Sequence, residues 1–87
     1  GFDDLTNDNQ VIAFPNPTSD KVTIRSNNPL SNVTIQIVSP QGTLINKKNL
    51  SDFQETTLDF SNYSEGIYFV KVQQQNGYSK TLKITVK

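Results

Sequence analysis

A protein's chemistry comes from the side chains it carries, and this chain of 87 residues carries no histidine and no cysteine. The common general base, the thiol nucleophile and most transition-metal ligands are therefore missing together. Carboxylates, hydroxyls and amides remain. Asp3, Asp4 and Asp8 could offer oxygens to a calcium ion, but their spacing lacks the glycine and the distal glutamate of an EF-hand loop. Asp59 alternates outward between Leu58 and Phe60 and reads as a solvated strand residue. The run "NPTSDK", residues 16–21, gathers hydroxyls and a carboxylate with no base to activate them, which is the composition of turn capping. Gly1, Gly42, Gly66 and Gly77 stand apart from one another, so no glycine-rich phosphate loop exists. Asn-x-Ser/Thr matches at Asn32, Asn49 and Asn62 carry no weight in a chain with ten asparagines. The expectation is a protein with no catalytic residue, no metal and no cofactor.

Binding chemistry is equally sparse. Eight basic and eight acidic side chains give a formal charge of zero, and Arg25 is the one arginine. A general electrostatic grip on nucleic acid or on an anionic membrane needs a basic surface instead. No apolar run approaches the ~18–20 residues that cross a bilayer as a helix, so direct membrane insertion is not expected. Amides and hydroxyls dominate, a composition compatible with life outside the cell. Without cysteine, no disulfide framework can hold the fold. Sugars could stack on aromatic rings near turns, and Phe2, Phe53, Tyr63 and Tyr78 lie near turns, yet tryptophan is absent and a small core claims most of the rings. The opening "GFDDLTNDNQ" is acidic and polar rather than basic and then apolar. Any export leader therefore belongs upstream in a longer parent protein.

Periodicity defines the elements that must position these groups. Residues 1–10 are polar and acidic without periodicity and read as a linker, with a single domain over 11–87. "KVTIR" sets Val22 and Ile24 on one face, and "NVTIQIV" does so with Val33, Ile35 and Ile37. "TTLDF" offers Leu58 and Phe60, "IYFVKV" offers Tyr68, Val70 and Val72, and the last run offers Leu82, Ile84 and Val86. Alternation with period two marks half-buried strands. "SNNPLSN", "SPQG", "KNLSDFQE", "SNYSEG" and "QQQNG" read as the turns between them, and Asn76-Gly77 predicts a type I′ hairpin. Counting "VIAF" and "TLINK", the chain predicts an all-β fold. About seven short strands would form an immunoglobulin-like sandwich of two mainly antiparallel sheets. In "FPNPTSD" each proline fixes its own φ and pushes its predecessor toward extended conformations. The segment reads as a rigid, extended crossing between two strands, with Thr18, Ser19 and Asp20 as turn material.

The order of these segments resembles the type A family of C-terminal sorting domains of the type IX secretion system, also called the Por secretion system, of Gram-negative bacteria. Phe14, Pro15, Asn16 and Pro17 match the family's opening Tyr/Phe-Pro-Asn-Pro motif, and Gly42 matches its turn glycine. Phe60, Ser61, Gly66 and Tyr68 match its Leu-Ser-x-Leu-x-x-Gly-x-Tyr element, with Tyr63 where leucine is usual. Lys83, Ile84, Val86 and Lys87 match its closing lysine-bearing strand, with Thr85 where a lysine or hydrophobe is common. The match spans residues 14 to 87.

The resemblance implies a non-catalytic sorting signal. It would direct an upstream cargo, attached in cis, through the type IX outer-membrane translocon and its shuttle proteins. A sortase-like peptidase would process it, after transit through the periplasm, at the cell surface or in the medium. The alternative is a carbohydrate-binding or adhesive sandwich of a surface protein. If the last strand lies at a sheet edge, a translocon component could read its backbone and its lysines by strand addition.

Overall fold

A computed structural model describes residues 10–87, so the linker reading of residues 1–10 and the carboxylates Asp3, Asp4 and Asp8 lie, Gln10 apart, outside the described residues. Five strands follow one another: β1 (Val11–Phe14), β2 (Lys21–Val38), β3 (Leu44–Asp59), β4 (Gly66–Gln74) and β5 (Ser79–Val86). The described residues contain no helix.

The all-β expectation holds, but the strand count and the two separate sheets do not. The seven predicted runs become five because two predicted turns are strand corners. "KVTIR" and "NVTIQIV" are the two arms of β2, and "TLINK" and "TTLDF" are the two arms of β3. The antiparallel ladder between β2 and β3 runs from Lys21↔Asp59 to Val38↔Leu44 and shifts register twice, at Ile37/Val38 and, more widely, between Arg25 and Leu30. At the wider shift Ser26, Asn27, Asn28 and Pro29 face Gln54 alone, which bends both strands without breaking them. Leu30 and Phe53 pair across this corner, are both buried, and anchor the bend in the core.

All five strands belong to one hydrogen-bonded sheet. Along its other edge β2 pairs with β1 in the first arm (Val11↔Ser26 to Phe14↔Thr23) and with β4 in the second (Val33↔Gln74 to Val38↔Phe69). β4 then pairs with β5 from Gly66↔Val86 to Gln73↔Ser79. The sheet curls, and the apolar faces of its two arms share a single core. Val11, Val22, Ile24 and Leu58 from the first arm join Ile35, Ile37, Val70, Val72 and Ile84 from the second. The alternation seen in the sequence thus names the core correctly, although not the connectivity around it.

Two hairpins close alike. In "SPQGT" the amide of Ser39 donates to the carbonyl of Thr43 (2.8 Å) and that of Gly42 donates back to Ser39 (2.9 Å). In "QQNGY" Gln74 and Gly77 repeat the pattern with Tyr78 (2.7 and 2.9 Å). Both glycines have positive φ, +90° at Gly42 and +109° at Gly77, whereas Asn76 does not. The expected type I′ turn needs φ > 0 at two central residues, so this is the longer hairpin that ends on a left-handed glycine. Asn76 contributes its side chain instead, accepting the Tyr78 amide at 3.0 Å.

Candidate functional site

The residues singled out by the sequence converge on one end of the curled sheet, where β1 ends and β5 finishes. The geometry starts at Asn16. Its side-chain amide donates to the carbonyl of Lys83 (2.8 Å), and its side-chain oxygen accepts the backbone amide of Thr85 (2.9 Å). A carboxamide offers a donor and an acceptor side by side, as a peptide group does. Asn16 therefore acts as a one-residue strand against the outer edge of β5.

Thr18 extends this clamp. Its amide donates to the carbonyl of Thr85 (2.8 Å), and its carbonyl accepts the amide of Lys87 (2.9 Å). It forms an isolated parallel bridge with Val86. The Thr18 side chain is buried and donates to the Lys21 carbonyl (3.0 Å) while accepting the Asp20 amide (3.1 Å), which turns the chain into β2. Thr18 was expected as mere turn material. Its β-bridge to the terminal strand is a correction, and no local pattern reports a contact across nearly the whole chain. Residues 15–17 bend rather than run extended, and both X-Pro bonds, Phe14–Pro15 and Asn16–Pro17, are cis. Phe14, on the outer face of β1, carries the Arg25 guanidinium 4.9 Å above its ring. Arg25 in turn holds Glu55 at 2.9 Å.

Gly66 opens β4 directly opposite Val86. A Cβ there would sit 3.0 Å from Cγ of Pro40, so the "SPQG" turn packs on this glycine and ties Gly42's hairpin to the terminal strand. The glycine was read as a turn residue; it is a strand residue kept small by a neighbour, and the signal was Pro40 beside Gly42. Two residues on, Tyr68 is buried and faces Ile84 across the ladder. Its hydroxyl donates to the Ser64 carbonyl (2.8 Å), drawing the "SNYSEG" loop inward. The Tyr68 ring stacks on Tyr63 (5.5 Å between centroids), and Phe60 meets both edge-on at 5.3 and 5.8 Å. Tyr63 thus fills, with an aromatic ring, the place where the resembled pattern has leucine.

Ile84 and Val86 point into the core, whereas Lys83 lies on the outer face opposite Phe69. Over Lys83–Lys87 the edge of β5 is already bonded by Asn16 and Thr18, so that segment is closed to an added strand. Among the described residues no group of carboxylates could hold a metal ion. Among the described residues the rings weighed for sugars form no exposed platform. Phe53 is buried, Tyr63 is in the ring cluster, Tyr78 packs against the core, and Phe2 lies outside the described residues.

Asp59, at the end of β3, is a stronger acid than an ordinary carboxyl. Hydrogen bonding from Ser61 holds its carboxyl below the ordinary value of 3.8, with Lys21 adding a smaller attraction. The Ser61 amide donates to it at 2.9 Å, which makes Asp59 a cap on the turn after β3 rather than a reactive group.

Residues 12–87 match the family described as the secretion system C-terminal sorting domain. No curated protein matches the chain. The family match covers nearly the whole chain and includes every residue of the clamp and the ring cluster. The chain belongs to this family, the type IX sorting domains that its motif order resembles.

Proposed function

We propose that this chain, as a sorting domain, is the folded and non-catalytic label by which an attached cargo is carried through the type IX outer-membrane translocon to the cell surface or the medium. The single observation that supports this reading best is the convergence of all four motif segments on one end of the sheet. Each segment there holds another in place, and none presents a catalytic group. Such an end is a surface of fixed shape, which is what a receptor needs.

The attachment geometry agrees. Gln10 exchanges hydrogen bonds with Asn27 (3.0 and 2.9 Å) at the corner of β2. From there β1 runs about 13 Å toward the clamp. Cargo joined before Gln10 would hang at the corner and leave the motif end open to shuttle and translocon proteins. In this reading the domain crosses the periplasm folded, and a sortase-like peptidase cuts in or near residues 1–10, away from the clamp.

The test is a reporter carrying a general secretion leader, followed by residues 1–87, in a bacterium with a type IX system. The reporter is expected at the cell surface or in the medium. A reporter that stays in the periplasm while the domain is folded would overturn the proposal.

A further inference from the structure

The outer face of the second arm has a composition unlike the rest of the surface. Across three neighbouring strands Leu44, Val38 and Phe69 form one cross-strand row, with Ile67 beside Phe69 on the same face of β4. Leu44 is 50% exposed, Ile67 40% and Phe69 38%. Directly opposed residues on one face of a sheet lie ~4.5–5.5 Å apart, so these side chains are contiguous. Lys83 ends the row on β5. The next row holds Lys47 and Lys71 on either side of Gln36. None of these lysines is in an ion pair with a described residue. From Thr34 to Val38 and across their partners on β3, β4 and β5 this face carries no carboxylate; the nearest on the arm is Asp52, opposite Ser31 at the corner.

The charge balance of the chain has the same asymmetry. All eight basic residues fall within 11–87, against five of the eight acids, leaving +3 there (8 − 5) and −3 in residues 1–10. The formal neutrality of the chain therefore hides a basic domain with an apolar row flanked by lysines. A second copy cannot cover this face with its own, because lysines would then meet lysines and like charges repel across an interface. Phosphate backbones would leave the apolar row uncovered. A bilayer suits it poorly, because none of its apolar side chains is more than 50% exposed and little could insert.

We infer that this face is a docking surface for a protein whose own surface is apolar at its centre and carboxylate-bearing at its rim, one of the type IX outer-membrane components. This inference rests on the sorting reading and names the surface that would be read. Phe69 and Ile67 supply the apolar contact, and Lys47, Lys71 and Lys83 set orientation and encounter rate.

The experiment compares export of the reporter fused to the parent chain with three variants: Ile67→Ser/Phe69→Ser, Lys47→Glu/Lys71→Glu, and the control Ile12→Ser on the outer face of β1. Thermal unfolding verifies that each is folded. The inference expects at least tenfold less surface reporter for the two double variants and parent-level export for the control. Parent-level export of the folded double variants, with the parent exported, overturns the inference and leaves the sorting reading standing. A control that falls as far as the double variants also overturns it. A parent that is not exported removes both. The parent chain is also mixed with phosphatidylglycerol vesicles. Co-sedimentation that Lys47→Glu/Lys71→Glu abolishes would make the partner a membrane and overturn the protein assignment; no co-sedimentation supports it.

Discussion

At the scale of single residues, Asn16 explains why "PNP" sits where it does. The sequence marks the motif, and its rigidity follows from the two prolines, but its partners, Lys83 and Thr85, lie 67 and 69 residues away. Alternation and turn chemistry report on neighbours, so this contact left no local trace. Asn16→Leu would leave the Lys83 carbonyl and the Thr85 amide without their partner. Water reaches this exposed edge, so the loss is set near the ordinary worth of hydrogen bonds, about 1–2 kcal/mol. For a domain of this size that lowers the thermal midpoint by about 4–8 °C per kcal/mol. An unchanged midpoint would show that the clamp is ornamental. Asp59 gives a second test. Its acidity is raised in the folded chain, so its stabilising share is present above pH 3.8 and is lost as the pH falls through its lower folded value. The unfolding midpoints of the parent and of Asp59→Asn should therefore differ at neutral pH and converge on acidification below 3.8. A gap that widens in acid would contradict the Ser61 hydrogen bonds as its cause.

At the scale of elements, the pattern identified nearly every core-facing residue but misread two joins. "SNNP" and "KNLSDF" are rich in turn formers, and local propensity alone puts chain reversals there. What the pattern could not show is that the first faces Gln54, just beyond the second, so that both turn-rich segments meet at one corner and stay within paired strands. Phe53 carried the missing signal. It was read as a loop ring, yet it is 2% exposed and pairs with Leu30. Phe53→Ala should cost about 3–5 kcal/mol, the range for large core deletions, measured by denaturant unfolding. A loop ring over the surface would cost about 0.5 kcal/mol or less. A loss that small would mean the corner is held by its backbone alone. The turn after β4 was misread in kind rather than in place, because "NG" fits two hairpin closures and only the φ of Asn76 distinguishes them.

At the scale of the whole molecule, the described residues are a short sheet curled on a shared core, with Gln10 at its corner and the motif segments at its other end. Family membership was legible in the order and spacing of four short motifs, which together outweigh any one of them. The lysine-bearing face was not legible, because total charge averages a basic domain against an acidic leader segment. In the proposed function, export requires the folded motif end. The most direct measurement is the fraction of reporter reaching the cell surface of a type IX host when it is fused to residues 1–87, set beside the same fusion lacking Lys83–Lys87. That deletion removes Ile84 and Val86 from the core, at about 1.5–3 kcal/mol each, and takes away the partners of Asn16 and Thr18. Surface reporter is expected for the intact domain and periplasmic retention for the truncated one. Equal export of the two fusions, or retention of the intact and folded one, would contradict that requirement.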